Sequence, residues 1–168
     1  LTDAVDYGAN TDWQKAIQQT AISHSHTLSF SSGGEDNGLR ASVNYLRNEG
    51  IIKFSDLDRM SASLTAYQYG LNNRLKVELS LQANADKRHN VDKGIYSTIY
   101  NMNPTAPIYD ENGNYLETTT SWTGGTEENP LYEATLKSYD RSKSWELINN
   151  TELLWNIDNY WLLKGQFS

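Results

Sequence analysis

One stretch of the sequence, from Leu75 to Asp86, alternates apolar and polar residues without a break. Successive side chains of a β-strand point to opposite faces, so this stretch predicts a strand with one apolar and one polar face. Soluble strands average about 5–6 residues, whereas a tilted strand that crosses a bilayer needs about 9–11. The length favours a membrane strand, but an antiparallel sheet with one solvated face alternates in the same way.

Five other stretches show the same period of two and predict five more strands. Together they predict an all-β chain, an antiparallel up-and-down meander, which fits part of a large transmembrane β-barrel and the sheet of a soluble sandwich alike. In such a barrel the apolar parity faces lipid and the polar parity faces the interior. The residues expected to face lipid are Leu75, Val77, Leu79, Leu81, Met60, Ala62, Leu64, Val43 and Leu163.

The connections between the six predicted strands alternate in length. Short turns are expected at Gly33–Gly38, Gly70–Asn73 and Asp158–Asn159, with a medium connector at Gly50–Asp56 and a very long one at Lys87–Lys143. Every other connection of a meander lies at the same edge, so the short turns would share one rim and the long loops the other. Outer-membrane barrels show this pattern, with short periplasmic turns and long extracellular loops.

Aromatic residues flank two of the short turns: Tyr67 and Tyr69 precede one, and Trp155, Tyr160 and Trp161 surround another. Barrels carry such rings in girdles at the two membrane interfaces. These residues are therefore interpreted as parts of a girdle, although Tyr67 and Tyr69 have the parity of the polar face.

Composition narrows the classes of function. The formal net charge is −7 and the 14 Lys and Arg residues form no basic stripe, so nucleic acid is not expected as a partner. There is no cysteine, which excludes disulfides and thiol chemistry. The longest apolar runs are far short of the roughly 20 residues of a membrane helix. Since the sequence begins at Leu1 without an apolar leader, we expect a piece of a larger protein.

Before the first strand, Asn10 to Ala21 predicts a short helix. Thr11 and Gln14 have the spacing of a capping box, in which the two side chains satisfy free backbone N–H groups at the helix start. Trp13 and Ile17 would lie on its apolar face.

Short motifs occur in a fixed order along nearly the whole chain. They are Thr11-Asp12-Trp13, His26-Thr27-Leu28-Ser29 before Gly33-Gly34, Tyr45-Leu46, Asn48-Glu49-Gly50-Ile51-Ile52-Lys53, Leu75-Lys76-Val77, Asn103-Pro104 and the run from Pro107 to Tyr115. This ordered set closely resembles the SusC/RagA-like TonB-dependent outer-membrane transporters of the Bacteroidetes. The run from Asn48 to Lys53 is its most specific part.

The resemblance implies a barrel of about 22 strands in the bacterial outer membrane, plugged by an N-terminal domain and energised through TonB. It also implies a SusD-like lipoprotein partner, which helps to capture a glycan or peptide nutrient, and contact with outer-membrane lipid. No plug domain, TonB-contacting segment or first barrel strand is found among these residues. The six strands are therefore expected to be the second to the seventh, and the chain is not expected to transport alone.

These expectations divide the chain into four parts. Residues 1–23 form the end of the first extracellular loop with a short helix, and 24–86 form barrel strands with short turns. Residues 87–143 form a long extracellular loop, and 144–168 form further barrel strands.

No catalytic residue, cofactor or metal is expected. His24 and His26 share a strand parity but have no third ligand at a useful spacing. The run Asp110–Asn114 superficially resembles a calcium loop, but its glycine is misplaced and no distal bidentate glutamate follows, so a hairpin turn is predicted. The pair Glu127-Glu128 has no partner base or nucleophile, so an enzyme is not expected.

The candidate ligand or partner contacts are aromatic residues of the long loop: Tyr96, Tyr100, Tyr109, Tyr115, Trp122 and Tyr132. Rings with polar tips suit sugar faces, peptides and protein interfaces alike, and packing of the loop on itself is the alternative for each ring. The favoured function is a segment of a transporter that imports glycans or peptides with a SusD-like lipoprotein. The alternative is a soluble β-sheet binding module of carbohydrate-binding or adhesin type.

Overall fold

The computed structural model describes residues 5–92, 94–121, 123–137, 141–158 and 160–168. Within these residues the elements, in chain order, are α1 (Trp13–Ile17), β1 (Ser23–Gly33), β2 (Asn37–Glu49), β3 (Asp56–Gly70), β4 (Leu75–His89), α2 (Ile95–Asn101), β5 (Thr118–Thr120), β6 (Thr126–Glu128), α3 (Pro130–Lys137), β7 (Arg141–Asn156) and β8 (Leu162–Phe167).

The chain divides into two compact units. The loop unit comprises Leu1–Ile22, Asn48–Leu57 and Arg88–Ser142, and it holds the three helices and the two-stranded sheet of β5 and β6. The sheet unit comprises Ser23–Arg47, Asp58–Lys87 and Lys143–Ser168.

The sheet has six strands in the order β1-β2-β3-β4-β7-β8 and is not closed. Because neighbouring strands are also neighbours along the chain apart from the long connection, this is the predicted antiparallel meander, and the predicted fold class is confirmed. In the pair β7 and β8, Thr151 lies opposite Phe167, Leu153 opposite Gly165, and Trp155 opposite Leu163. Opposite residues share a face, so the parity predicted for these two strands is also observed.

Polar side chains bond to one another along the polar parity of the sheet. The contacts are Ser42 Oγ to Ser63 Oγ at 2.8 Å, Asn44 Nδ2 to Thr27 Oγ1 at 2.7 Å, a two-point Arg59–Asp86 pair at 2.8 Å, and Lys76 Nζ to Glu78 Oε2 at 2.6 Å. Polar groups that are hydrogen-bonded to one another lose little free energy when they leave water, so this face can line a confined polar interior.

Tyr67 and Tyr69 belong to this polar face. The Lys76 ammonium lies 5.5 Å and 5.9 Å from the two ring centroids. The Tyr67 ring also covers Gly38, where a Cβ atom would lie 2.3 Å from Tyr67 Cε1. The interpretation of these two rings as part of a lipid-facing girdle is therefore wrong, because strand parity directs them to the lysine on the polar face.

Among the described residues, the buried hydrophobic side chains all lie in the loop unit. Large apolar residues of the sheet unit are exposed instead: Leu28 to 78%, Leu147 to 63% and Trp145 to 83%. A soluble sheet normally buries one face against a hydrophobic core. Here, none of the buried hydrophobic residues in the described part of the chain lies in the six strands.

Helix α1 begins at Trp13 and differs from the prediction at its start. Asp12 is the N-cap, and its carboxylate accepts a hydrogen bond from the Lys15 backbone N–H at 2.9 Å. The Thr11 hydroxyl donates to the Ala106 carbonyl at 2.7 Å instead. The predicted capping box of Thr11 and Gln14 is therefore wrong, because a tertiary contact takes the threonine hydroxyl away from the helix.

No helix of the described residues is long and apolar enough to cross a membrane.

Candidate ligand or partner site

The loop unit is built around a small hydrophobic core from its three helices and the connector. Its buried members are Trp13, Ile17, Ile52, Ile95, Met102, Ala106, Leu131 and Ala134. Ile95, Ile99 and Met102 recur at helical spacing, which directs one face of α2 inward. This core gives the long connection a fixed shape, so its surface can present side chains in defined positions.

Two motifs that are distant in the sequence meet in this unit. Trp13 Nε1 donates to the Asn103 carbonyl at 2.9 Å, and the Thr11 backbone N–H donates to the Pro104 carbonyl at 2.8 Å. The Asn103 side chain is buried, donates to the Val5 carbonyl at 2.7 Å and accepts from the backbone N–H two residues on at 2.9 Å. These residues therefore stabilise the scaffold of the loop unit.

The connector after β2 is held by close packing at Gly50. A Cβ atom there would lie 1.9 Å from Ser55 Oγ, so only glycine allows this approach. The Ser55 hydroxyl donates to the Ile52 carbonyl at 2.6 Å, and the Lys53 backbone N–H donates to the Ile17 carbonyl at 2.9 Å. The motif from Asn48 to Lys53 is thus also explained by local packing.

The predicted hairpin turn at Asp110–Asn114 is present. The backbone N–H of Asp110 donates to the Asn114 carbonyl at 2.8 Å, and Gly113 has φ +82°, which favours glycine. The Asp110 carboxylate accepts from the backbone N–H groups of Asn112 at 2.8 Å and Asn114 at 2.9 Å. The carboxylate oxygens thus order the turn and do not form a calcium loop.

Asn129 joins this hairpin to helix α3. Its amide donates to the Ile108 carbonyl at 2.9 Å, and its side-chain oxygen accepts from the Leu131 backbone N–H at 3.0 Å. Asn129 is an N-cap followed by Pro130 at the first helical position, a combination that starts helices. The side chain is buried, so it fixes the hairpin and the helix in one arrangement.

A cavity of about 840 Å³ lies between the hairpin and α3. We call it the tyrosine groove, and its lining includes Tyr109, Asp110, Tyr115, Glu117, Tyr132 and Thr135. The rings of Tyr109 and Tyr115 are stacked, with centroids 5.0 Å apart and planes inclined by 25°. Three of the six sequence-predicted rings are thus brought together at one surface.

The electrostatics of the tyrosine groove suit binding. Burial, and then the hydrogen bond and charge of Tyr109, raise the pKa of the Tyr115 hydroxyl above its ordinary value. Desolvation, and then the carboxylate of Glu117, raise the pKa of Tyr132. The backbone N–H groups that bond to Asp110 lower the pKa of its carboxyl. At neutral pH the groove therefore presents the protonated phenols of Tyr115 and Tyr132 beside the ionised carboxylate of Asp110.

The remaining predicted rings lie elsewhere. Tyr100 on α2 is 79% exposed and borders a second cavity of about 460 Å³ beside Trp13 and Met102. Tyr96 on α2 is half exposed. Trp122 is outside the described residues. The six rings therefore do not form one site within the described part of the chain.

Sequence reasoning missed Glu117 and Asn129, one of which lines the tyrosine groove while the other shapes it. The Asn-Pro pair at 129–130 is a recognisable helix start and could have identified α3. Glu117 carries no such signal, because only the tertiary fold brings it to Tyr132.

Among the described residues, no three His, Cys, Asp or Glu side chains converge on a point that could hold a metal ion. The rings of His24 and His26 are 5.4 Å apart, and His24 also contacts Tyr45 at 6.1 Å.

Comparison with known proteins gives a consistent result. No family model matches the chain. The TonB-dependent receptor SusC of Bacteroides thetaiotaomicron is 27% identical over 164 residues, which cover 86% of this chain and 16% of SusC. TonB-dependent receptor P3 of Formosa agariphila is 28% identical over 146 residues, which cover 81% of this chain and 14% of P3. The chain resembles the SusC-like receptors.

Solved structures agree at the level of the fold. The structure of the RagAB peptide transporter matches 96% of this chain and 19% of that chain, with a TM-score of 0.73 at 22% identity. A second structure, of the RagAB peptide importer in the "closed-closed" state, matches with a TM-score of 0.71 at 21% identity. The resemblance to SusC/RagA-like transporters that the motifs indicated is therefore confirmed, and the meander has the fold of a segment of such a barrel.

The chain spans less than a fifth of the length of these relatives. The relatives are receptors and transporters by name rather than enzymes, which is consistent with the expectation that this chain is not an enzyme.

Proposed function

We propose that this chain is a segment of a TonB-dependent transporter of the bacterial outer membrane, one that imports a glycan or a peptide together with a SusD-like surface lipoprotein. In this proposal the six strands are the second to seventh of the barrel. The connections containing the loop unit are extracellular, and TonB acts through a plug domain elsewhere in the protein.

One observation carries the proposal over a soluble binding module. The six strands expose Leu28, Leu147 and Trp145 on the apolar parity, while the described core residues belong to the loop unit. Such a sheet needs a surrounding apolar medium on one face and a polar filling on the other, which is the environment of a plugged barrel. The match to the RagAB fold supports the same interpretation.

Within this function, the tyrosine groove is proposed as a contact surface. Tyr109, Tyr115 and Tyr132 offer apolar ring surface, protonated hydroxyls and two nearby carboxylates. Amphipathic rings of this kind are enriched at protein interfaces. The SusD-like lipoprotein is the favoured occupant and the nutrient is the second, with Tyr96 and Tyr100 as further contacts outside the groove. Trp122 stays a predicted contact.

The test is a pair of substitutions, Tyr115→Ala and Tyr132→Ala, in the full-length receptor expressed in its own host. Loss of two interface rings should weaken co-purification of the lipoprotein by about tenfold or more. Uptake should be followed in parallel as growth on a panel of glycans and peptides. The double variant Tyr115→Phe with Tyr132→Phe retains the rings and separates their contribution from that of the hydroxyls.

Tyr160→Ala is the matched control, since Tyr160 is 91% exposed and lies in the sheet unit. It should leave capture and uptake unchanged. If the tyrosine-groove variant bound its lipoprotein and imported every nutrient as the control does, the groove would have no role in capture.

A further inference from the structure

The apolar parity of the sheet becomes basic where β4 ends and β7 begins. Lys87 and Lys143 share the apolar parity of their strands, and both side chains are exposed. The backbone N–H of Asn156 donates to the Arg74 carbonyl at 2.7 Å, which fixes the register of the two neighbouring strands. Counted from this hydrogen bond, Lys87 is as far from Arg74 along β4 as Lys143 is from Asn156 along β7. The two lysines therefore face each other across adjacent antiparallel strands.

A side-chain contact supports this register. Asn84 Nδ2 lies 3.3 Å from Glu146 Oε2. Asn84 is as many residues from Arg74 as Glu146 is from Asn156, so the same register places these two residues opposite each other. Like charges directly opposite on a sheet are destabilising. In the described part of the chain, the salt bridges of the sheet unit do not include Lys87 or Lys143. The two ammonium groups thus form a positive site, and neither is in an ion pair with a carboxylate of the described residues.

Both lysines border an apolar cavity of about 380 Å³ that extends over four neighbouring strands. Its surface is provided by Tyr45, Met60, Ala85 and Trp145, from β2, β3, β4 and β7 respectively. Met60 is 56% exposed. The cavity therefore combines two cations with an apolar surface that an acyl chain could contact.

Two acidic residues also border the cavity, Asp58 and Asp86, and each lies beside a guanidinium group. The Asp58 carboxylate accepts a hydrogen bond from the Tyr45 hydroxyl at 3.1 Å, and one of its oxygens lies 3.9 Å from Arg47. Asp86 is paired with Arg59 at 2.8 Å, so each of the two carboxylates has a cationic neighbour other than the two lysines.

We propose that this cavity binds a phosphorylated lipid of the outer leaflet, with its phosphate between Lys87 and Lys143 and an acyl chain against Met60 and Trp145. Tyrosine and tryptophan rings prefer the headgroup level of a membrane, and lysine stems extend along apolar surface to place the charge there. Basic pockets on membrane proteins bind anionic lipid headgroups in this way. The inference rests on the proposed function, because it needs the apolar parity to meet lipid at the extracellular edge.

The test measures binding of diphosphoryl lipid A to the full-length receptor in detergent by native mass spectrometry. The double variant Lys87→Gln with Lys143→Gln should bind about tenfold more weakly or worse than the wild type. The matched control is Lys76→Gln with Lys164→Gln, which removes the same charge from the polar parity and should bind normally. Dephosphorylated lipid A should bind the wild type as weakly as the Gln variant binds the phosphorylated form.

The inference is overturned if the Gln variant retains wild-type affinity, if dephosphorylated lipid binds equally well, or if inorganic phosphate alone binds the wild type as tightly. Loss of the lipoprotein with normal lipid binding would also overturn it, since the surface would then be a protein interface. Failure of the proposed function is distinct. In that case the wild-type receptor would not insert into lipid vesicles, whereas failure of this inference alone leaves an inserted barrel with equal lipid binding in all variants.

Discussion

The loop unit and the sheet unit differ in where their large apolar side chains lie: buried in the first and exposed in the second. The loop unit uses short elements that leave Trp13, Ile17 and Ile95 almost without exposed surface. The sheet unit uses long regular strands and leaves Leu28, Leu147 and Trp145 open. The loop unit thus has a core made of its own residues, whereas the sheet unit carries large apolar side chains on its surface.

The polar groups show the same contrast. In the loop unit, Asn103 and Asn129 are buried and each is held by several hydrogen bonds to backbone groups. In the sheet unit, pairs such as Arg59–Asp86 are partly exposed and join neighbouring strands. The buried hydrogen bonds of the loop unit therefore fix its conformation. The sheet unit has one polar and one apolar face, and its stability depends on what covers those two faces.

The largest effect is expected when residues 1–168 are produced without the rest of the receptor. The isolated chain should not form a stable, water-soluble monomer, because six strands leave two unpaired edges and one uncovered apolar face. Sedimentation and circular dichroism of the refolded chain should show aggregation or loss of the sheet. A soluble monomer with one sharp cooperative melt would contradict this and would favour the binding-module alternative.

The next largest effect is expected from Trp13→Ala. The change removes a buried ring and leaves the Asn103 carbonyl without its 2.9 Å donor, so the loop unit should lose about 3–5 kcal/mol. Hydrogen exchange of the full-length receptor should show faster exchange at the backbone N–H groups of Ala9 and Thr11, which bond within this unit. The paired strands β7 and β8 should keep their protection.

Trp13→Phe provides a graded control. It keeps most of the ring volume but not the N–H donor, so it should cost about 1–3 kcal/mol. If both variants accelerated exchange in β7 and β8 as much as in the loop unit, the two units would not be energetically separate.

A smaller effect is expected in the sheet unit from Leu79→Arg. A charge on the lipid face should cost about 2–4 kcal/mol near the bilayer midplane and less toward either interface. Ser80→Arg, one residue along the same strand, would place the charge on the polar parity and should cost about 0.5 kcal/mol or less. The free energy of unfolding in guanidinium should be measured for the full-length barrel in vesicles, and equal costs for the two variants would refute the assignment of the faces.

The strands were predictable because their signal is local. Alternation fixes the faces of β4 and of the β7–β8 pair, as the register of Trp155 and Leu163 shows. Strand ends were less predictable, since β4 continues to His89 and β7 begins at Arg141. Those end residues are polar on both faces, so backbone pairing alone extends the strands beyond the pattern.

The candidate site was predictable by residue type but not by arrangement. Tyr109 and Tyr115 meet because a predicted hairpin turn brings them together, and this could be inferred from the turn sequence. Tyr132 joins them only through α3 and its cap, Asn129, which a search for strand periodicity does not detect. The role of these rings in binding stays a prediction.

The smallest expected effect concerns the pH dependence of the hairpin turn that borders the tyrosine groove. Hydrogen bonds from the backbone N–H groups of Asn114 and Asn112 lower the pKa of Asp110 below its ordinary value of 3.8. A folded-state pKa below the unfolded one means that the carboxylate stabilises the turn above about pH 4, and that this contribution is lost as pH falls through the lower, folded value. The backbone N–H resonances of Asn112 and Asn114, followed by NMR, should titrate with a midpoint below 3.8. Asp110→Asn keeps an acceptor oxygen and should retain the turn without titration, whereas Asp110→Ala should open it at every pH. A midpoint at or above the ordinary value, or an unchanged titration in Asp110→Asn, would show that these hydrogen bonds do not hold the turn.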